Sequence, residues 1–224
     1  MEKQDNTGLG LITATIERVR NEQSLFNSAL KKLVNSSEEE LDDFLKRKID
    51  IKIKDGILRL ISGDQNLILK ALDGSRLIYQ AKKTFKSFID SDFINWGLNK
   101  SGIATLEIPV KVDEIIGDGT FMNIFSSLPG TWNQKWLSQN QIIEFCETLP
   151  HWLRQERNAT MFLCKIDENK PINENKPQDN LVVVYVSVSS DGLDVYVHRL
   201  EYDYVWGGGY RPRVVSPQLI PLMA

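Results

Sequence analysis

The chain has 224 residues with 27 Lys and Arg against 30 Asp and Glu, a formal net charge of −3. No overall basic excess indicates a nucleic-acid-binding protein, and no apolar run is long enough to cross a membrane. The two cysteines, Cys146 and Cys164, are too few for a disulfide framework. We therefore expect a cytoplasmic protein without membrane association.

The first 48 residues read as a helical segment. Apolar residues between Leu11 and Val34 recur every three or four positions, which predicts an amphipathic helix. Ser37 followed by Glu40 fits the capping box of a second helix. The long helix offers an apolar stripe for self-association.

Residues 49–104 form a second predicted segment, a small α/β lobe or extension. The short apolar runs 57–61 and 67–72 are separated by turn dipeptides. Such runs fit either a small meander or fragments of helix. A Gly-, Asn- and Ser-rich stretch, 95–104, marks the boundary with a third segment, 105–224.

The clearest basic cluster of the chain lies in the second segment. It consists of Arg76, Lys82, Lys83 and Lys86, interleaved with phenylalanines at positions 85, 88 and 93. Basic residues that hold phosphates and aromatic residues that stack on bases are the combination used to bind single-stranded nucleic acid. The alternative is an ordinary surface segment whose phenylalanines point inward.

Alternation predicts a strand over 105–116, in which Pro109 favours an edge position because proline cannot donate to the ladder. Helical spacing follows over 121–128. Ser138 and Gln141 then form a capping box, with Leu137 and Ile142 as its hydrophobic staple. A further strand is predicted over 159–166.

The central prediction of this segment is a β-hairpin over 181–200. Four valines at alternate positions from Val182 to Val188 give the first strand one fully apolar face, whereas its other face is apolar only at its start. Ser190-Asp191-Gly192 supplies turn chemistry. Residues 213–217 suggest a short final edge strand. The predicted class is α+β, with N-terminal helices followed by a mainly antiparallel sheet that has helices packed on one face.

No catalytic or metal-binding motif is present in the sequence. Cys146, Cys164, His151 and His198 lack the close spacing of zinc ligands, and we expect no cofactor. Acidic residues paired with a lysine are typical of metal-dependent nucleases. One such set (Asp191, Asp194, Glu201 and Lys165) keeps a nuclease or another hydrolase open as an alternative.

An aromatic and basic surface at the C-terminal end is the strongest candidate for function. Tyr, Trp and Arg are enriched in recognition surfaces, where they combine large area with polar groups. The candidate binding residues are Trp152, Arg154, Arg199, Tyr202, Trp206, Tyr210, Arg211 and Arg213. We expect a non-catalytic binding or regulatory module that recognises a protein or peptide partner, with nucleic-acid binding as the alternative.

Several stretches from about residue 77 to residue 219 resemble an uncharacterised family of bacterial hypothetical proteins. The resemblance lies in residues 117–121, 136–142, 152–154, 162–165, 190–192 and 202–206. It implies a shared fold for this part of the chain. It implies no activity and no catalytic residues.

Overall fold

A computed structural model describes residues 56–63, 65–156 and 158–218. The two predicted N-terminal helices, the self-association helix among them, lie outside these residues. The described residues form an eight-stranded sheet. Its strands are β1 (Leu58–Leu60), β2 (Leu67–Leu69), β3 (Phe88–Ile89), β4 (Ile108–Ile115), β5 (Ala159–Lys165), β6 (Leu181–Ser189), β7 (Gly192–Arg199) and β8 (Arg213–Pro217).

Three α-helices are found within the described ranges: α1 (Asp92–Asn95), α2 (Phe121–Ser126) and α3 (Gln139–Thr148). Helix α3 begins as predicted. The Ser138 side chain accepts a hydrogen bond from the Gln141 amide at 3.2 Å, and the Gln141 side chain accepts one from the Ser138 amide at 2.9 Å. Helix α2 has an equivalent capping box between Thr120 and Asn123. These local contacts satisfy amides that a helix start leaves without partners.

The strands follow the order β1-β4-β8-β5-β6-β7-β3, and β2 also pairs with β4. The pairs β5–β8 and β3–β7 are parallel, so the sheet is mixed. Strand β8 lies between β4 and β5, and β4 has neighbours on both sides. The edge positions predicted for residues 213–217 and for the strand containing Pro109 are therefore wrong. Pro109 is tolerated because it lies near the start of β4.

The predicted α+β class is wrong for the described residues. They are mostly sheet, and their helices are short: the longest, α3, has ten residues. Helices also cover both faces of the sheet instead of one, because α3 packs against one hydrophobic core and α2 against the other. Sequence patterns over 121–148 show that helices form, but they do not show which face of the sheet each helix covers.

The two cores lie on opposite faces of β5 and β6. The first, here called the α3 core, contains Val182, Val184 and Val186 from β6. The second, the α2 core, contains Leu181 and Val183 from the same strand. A strand buried on both faces reads as a nearly continuous apolar run, as β6 does at its start.

The β6–β7 hairpin confirms the prediction made for residues 181–200. Its antiparallel register pairs Val184 with Val197 and Tyr185 with Tyr196, and Ser189 with Gly192 next to the turn. Strands from the predicted 49–104 segment join the same sheet as those of the third segment: β1 and β2 pair with β4, and β3 pairs with β7. Among the described residues, no helix is long and apolar enough to cross a membrane.

Candidate functional site

An open groove lies on the α2 side of the sheet, at the end of the hairpin nearest its turn. The same face of β6 is covered at Leu181 and Val183, and its side chains change to Tyr185, Ser187 and Ser189 towards the turn. The groove has a volume of about 520 Å³. Its lining consists of Ser87, Asn158, Ala159, Tyr185, Ser187, Ser189, Asp191, Asp194, Tyr196, Tyr204, Trp206, Gly207, Tyr210 and Pro212.

Stacked aromatic rings continue from the floor of the groove. Tyr185 packs against Tyr196, its cross-strand partner, with ring centroids 4.7 Å apart and an interplanar angle of 15°. Tyr185 also stacks on His198 at 5.3 Å, and His198 stacks on Tyr202 at 5.2 Å. Cross-strand aromatic pairs stabilise a sheet and hold rings in defined positions. The groove is therefore lined by ordered rings.

The segment 201–212, which joins β7 to β8, forms one side of the groove. Trp206 and Gly119 exchange backbone hydrogen bonds of 2.9 and 3.1 Å. The amide of Gly208 donates to the Asp118 carboxylate at 2.9 Å. Trp206 then contacts Tyr204 and Tyr185 edge-to-face, with centroids 5.2 and 5.8 Å away. These contacts connect the segment to the floor.

Gly208 is needed in this segment because two stretches of backbone approach closely. A Cβ atom placed on Gly208 would lie 2.4 Å from the carbonyl carbon and oxygen of Ile116. No real Cβ atom tolerates backbone at that distance, so only glycine fits. The neighbouring Gly209 has no atom within 4 Å of its equivalent position. The three glycines therefore form a turn in which one has a strict steric role.

Burial and acidic neighbours change the pKa of several groove residues. Burial raises the pKa of Tyr185 to about 12, and the nearby Tyr196, Asp90 and Asp194 add to that shift. The pKa of Tyr196 is raised by burial and then by Asp194 and Asp90. Burial lowers the pKa of His198, although Asp90 and Asp92 oppose the shift. The tyrosines are thus neutral hydrogen-bonding groups in a negative local field.

The charged residues that line the groove are acidic. Asp191 lies in the hairpin turn and Asp194 on β7, and within the described part of the chain the lining contains neither lysine nor arginine. The Asp191 carboxylate accepts a hydrogen bond from the Ser190 hydroxyl at 3.1 Å. No hydrogen bond reaches the Asp194 carboxylate from another described residue. Lys86 and Arg211 are not part of the lining, although the Lys86 side chain lies against Gly192 of the hairpin turn.

The structure brings only some of the predicted binding residues together. Trp206 and Tyr210 line the groove, Tyr202 continues its ring stack, and Arg211 directly follows Tyr210. Tyr202 and Tyr210 are 46% and 71% exposed, so contact with a ligand needs no rearrangement of their surroundings. Arg199 lies elsewhere: its guanidinium stacks on Trp96 at 4.3 Å from the ring centroid, beside the α3 core.

Three other predicted binding residues form a separate cluster. Trp152 is buried in the α3 core. Arg213 donates from Nη1 to the Trp152 carbonyl at 2.9 Å and lies beside the indole ring. The backbone amide of Arg154 donates to the Thr160 hydroxyl at 2.7 Å. Burial lowers the pKa of Arg213, and the positive charge of Arg154 lowers it further. These contacts hold the chain between α3 and β5 in place.

In the basic cluster proposed for nucleic acid, Arg76, Lys82 and Lys83 lie with Glu147 away from the groove, whereas Lys86 lies beside the hairpin turn. Arg76 forms ion pairs with Glu144 and Glu147, whereas Lys82, Lys83 and Lys86 are exposed. Phe85 and Phe93 are buried in the α3 core. Phe88 is 45% exposed and packs on Tyr196 at 5.0 Å, beside the groove. Among the described residues, no aromatic ring stands exposed between the lysines.

The described residues contain no group of His, Cys, Asp and Glu that could hold a metal ion. Both cysteines are buried, and burial raises the pKa of each thiol. Within the carboxylate–lysine set, Lys165 pairs with Leu181 and Asp194 pairs with Ser187 across β6. Six residues of extended strand separate those positions by about 20 Å. Lys165 and Asp194 therefore cannot act on one substrate atom.

Sequence reasoning missed the floor of the groove. It assigns Tyr185, Tyr196, Asp191 and Asp194 only to the hairpin and to a generic acidic set. A usable signal is present, because the outer face of β6 changes from apolar to Tyr and Ser along its length. A face that stays in a core does not change in this way.

Comparisons with protein-family models, with curated proteins and with solved structures find no match for this chain. The resemblance to bacterial hypothetical proteins accordingly stays a prediction. The proposed function therefore rests on the residues and geometry of the groove.

Proposed function

We propose that this protein is a non-catalytic binding module that holds an extended segment of a partner protein in the groove beside the β6–β7 hairpin. The observation that carries this proposal is the open row of ordered aromatic rings on an otherwise covered sheet face. Rigid aromatic side chains give large contact area at low cost in conformational entropy, and tyrosines and tryptophans dominate the energetics of protein interfaces.

The shape of the groove supports a peptide more than a compact small molecule. It is open to solvent, and tyrosines, serines and aspartates are among the residues that line it. Hydroxyls and carboxylates can accept hydrogen bonds from the amides of an extended chain, and aromatic rings can receive its side chains. The two free, buried cysteines support the further proposal of a cytoplasmic location, since thiols persist in a reducing compartment.

Selection from a display library of random 12-residue peptides on the immobilised full chain tests the proposal. Affinities of selected peptides are then measured by fluorescence anisotropy. We expect Tyr204→Ala and Tyr210→Ala each to weaken binding by about tenfold or more, as loss of an interface hot spot does. Leu106→Ala is the matched control, because Leu106 is 82% exposed and outside the groove lining.

Two outcomes would contradict the proposal. One is a library that yields no peptide with measurable affinity. The other is a set of peptides that bind the two tyrosine variants and the Leu106→Ala variant equally well, which would locate the binding surface elsewhere. Circular dichroism of each variant distinguishes loss of the site from loss of the fold.

A further inference from the structure

We infer that the segment bound in the groove is basic and presents arginine to the aromatic rings and to the carboxylates of Asp191 and Asp194. This inference rests on the proposed function and specifies the chemistry of the partner. It is carried by the juxtaposition, in one groove, of stacked rings with two carboxylates that form no ion pair with any residue the structure describes.

The first argument is charge complementarity. Two carboxylates line the groove, and none of its described lining residues carries a positive charge. Asp90 lies close enough to influence Tyr185, Tyr196 and His198 together. A groove with one sign of charge concentrates ligands of the opposite sign. The same charges disfavour the phosphates of a nucleic acid, although aromatic rings alone could stack on bases.

The second argument separates arginine from lysine. A guanidinium group is planar, so it can stack on an aromatic face and donate two parallel hydrogen bonds to a carboxylate. The chain itself makes the stacking contact where the Arg199 guanidinium lies over the Trp96 ring. Tyr204 and Tyr210 supply exposed rings at the groove, and Asp194 supplies a carboxylate without a partner among the described residues. An ammonium group could use the charge but not the planar stacking.

The selected peptides test this inference. We expect arginine to be enriched over the starting library and over lysine. In each selected peptide, replacement of arginine by citrulline keeps the planar shape and removes the charge, and we expect it to weaken binding about tenfold or more. Replacement by lysine should weaken binding less than citrulline does. Binding should also weaken between 50 and 500 mM NaCl.

Matched protein variants test whether the groove carboxylates bind the arginine side chains. Asp191→Asn and Asp194→Asn should each weaken arginine peptides severalfold and leave the citrulline peptides nearly unchanged. Asp179→Asn is the control, because Asp179 is exposed in the turn Pro177–Asp179 and is not part of the lining. It should bind both peptide types as the unmodified chain does.

The outcomes separate the two proposals. Peptides that lose affinity in Tyr204→Ala but show no arginine enrichment, or that ignore both aspartate variants, would overturn the inference and leave the binding function standing. A failed selection would overturn the binding function and the inference with it. Displacement of a selected peptide by a single-stranded oligonucleotide, with oligonucleotide binding lost in Tyr204→Ala, would overturn both in favour of nucleic acid.

Discussion

The two faces of the β6–β7 hairpin differ in what their residues do. On the face toward α3, Val184, Val186, Val195 and Val197 are all buried. On the opposite face Tyr185 and Ser189 are partly exposed and Ser187 is buried, and all three line the groove with Asp194 and Tyr196. The face toward α3 therefore stabilises the fold through the burial of apolar side chains. The other places side chains in an open groove, where they can contact a ligand.

Two phenylalanines provide the sharpest test of this difference. Phe162 is fully buried on β5 and packs edge-to-face on Phe145, with ring centroids 5.4 Å apart. Phe162→Ala should lower the free energy of unfolding by about 3–5 kcal/mol through lost burial and a cavity. Phe88→Ala on the groove side should cost only about 1 kcal/mol, because Phe88 is 45% exposed and loses one aromatic pair. Urea denaturation of both variants measures the loss in the free energy of unfolding. Equal losses would show that the buried and the groove-side phenylalanines contribute equally to stability.

The glycine turn tests whether the groove depends on close backbone packing. Gly208→Ala places a methyl group against the Ile116 carbonyl and should cost about 1–3 kcal/mol, as overpacking does. It should also displace Trp206 and shift the tryptophan emission spectrum. Gly209→Ala is the matched control in the same turn, where the added methyl meets open space. If both variants behave alike, the steric role assigned to Gly208 is wrong.

The start of helix α3, which packs against the hairpin valines, can be destabilised without changing a residue of the hairpin. Ser138→Ala removes the acceptor for the Gln141 amide at the start of α3 and should cost about 1 kcal/mol. Ser190→Ala, in the exposed hairpin turn, should change stability by less than about 0.5 kcal/mol. Thermal unfolding of the two variants compares them. A neutral Ser138→Ala would show that tertiary packing alone holds the helix start.

The smallest expected effect is a pH dependence on the groove side. Burial lowers the pKa of His198 in the folded chain below the usual value of 6.5. Between the two values the unfolded chain binds more protons, so the contribution of His198 is fully present above about pH 6.5 and is lost as pH falls below it. His198→Phe should remove this part of the slope. Denaturation curves between pH 7.5 and 5.5 test the difference, and identical slopes for both proteins would contradict the burial assigned to His198.

Several local features were predictable because neighbours in sequence determine them. The hairpin follows from alternating valines and a Ser-Asp-Gly turn, and the start of α3 follows from Ser138 and Gln141. The aromatic region at the C-terminal end was also recognised, through Tyr202, Trp206 and Tyr210. The arginines belong to the predicted surface because arginine is enriched in recognition surfaces and because most of them lie near it in sequence. Arg199 points away since adjacent strand residues alternate between faces.

The sequence by itself therefore determined strands, turns and helix caps, all of which depend on side-chain periodicity and local hydrogen bonds. Only the tertiary structure decided that β8 enters the middle of the sheet, and that α2 and α3 cover opposite faces. It also decided that Asp194, Tyr185 and Tyr210 meet in one groove. The physical reason is that strand pairing and helix packing join residues far apart in the chain, and no local pattern specifies which of them will meet.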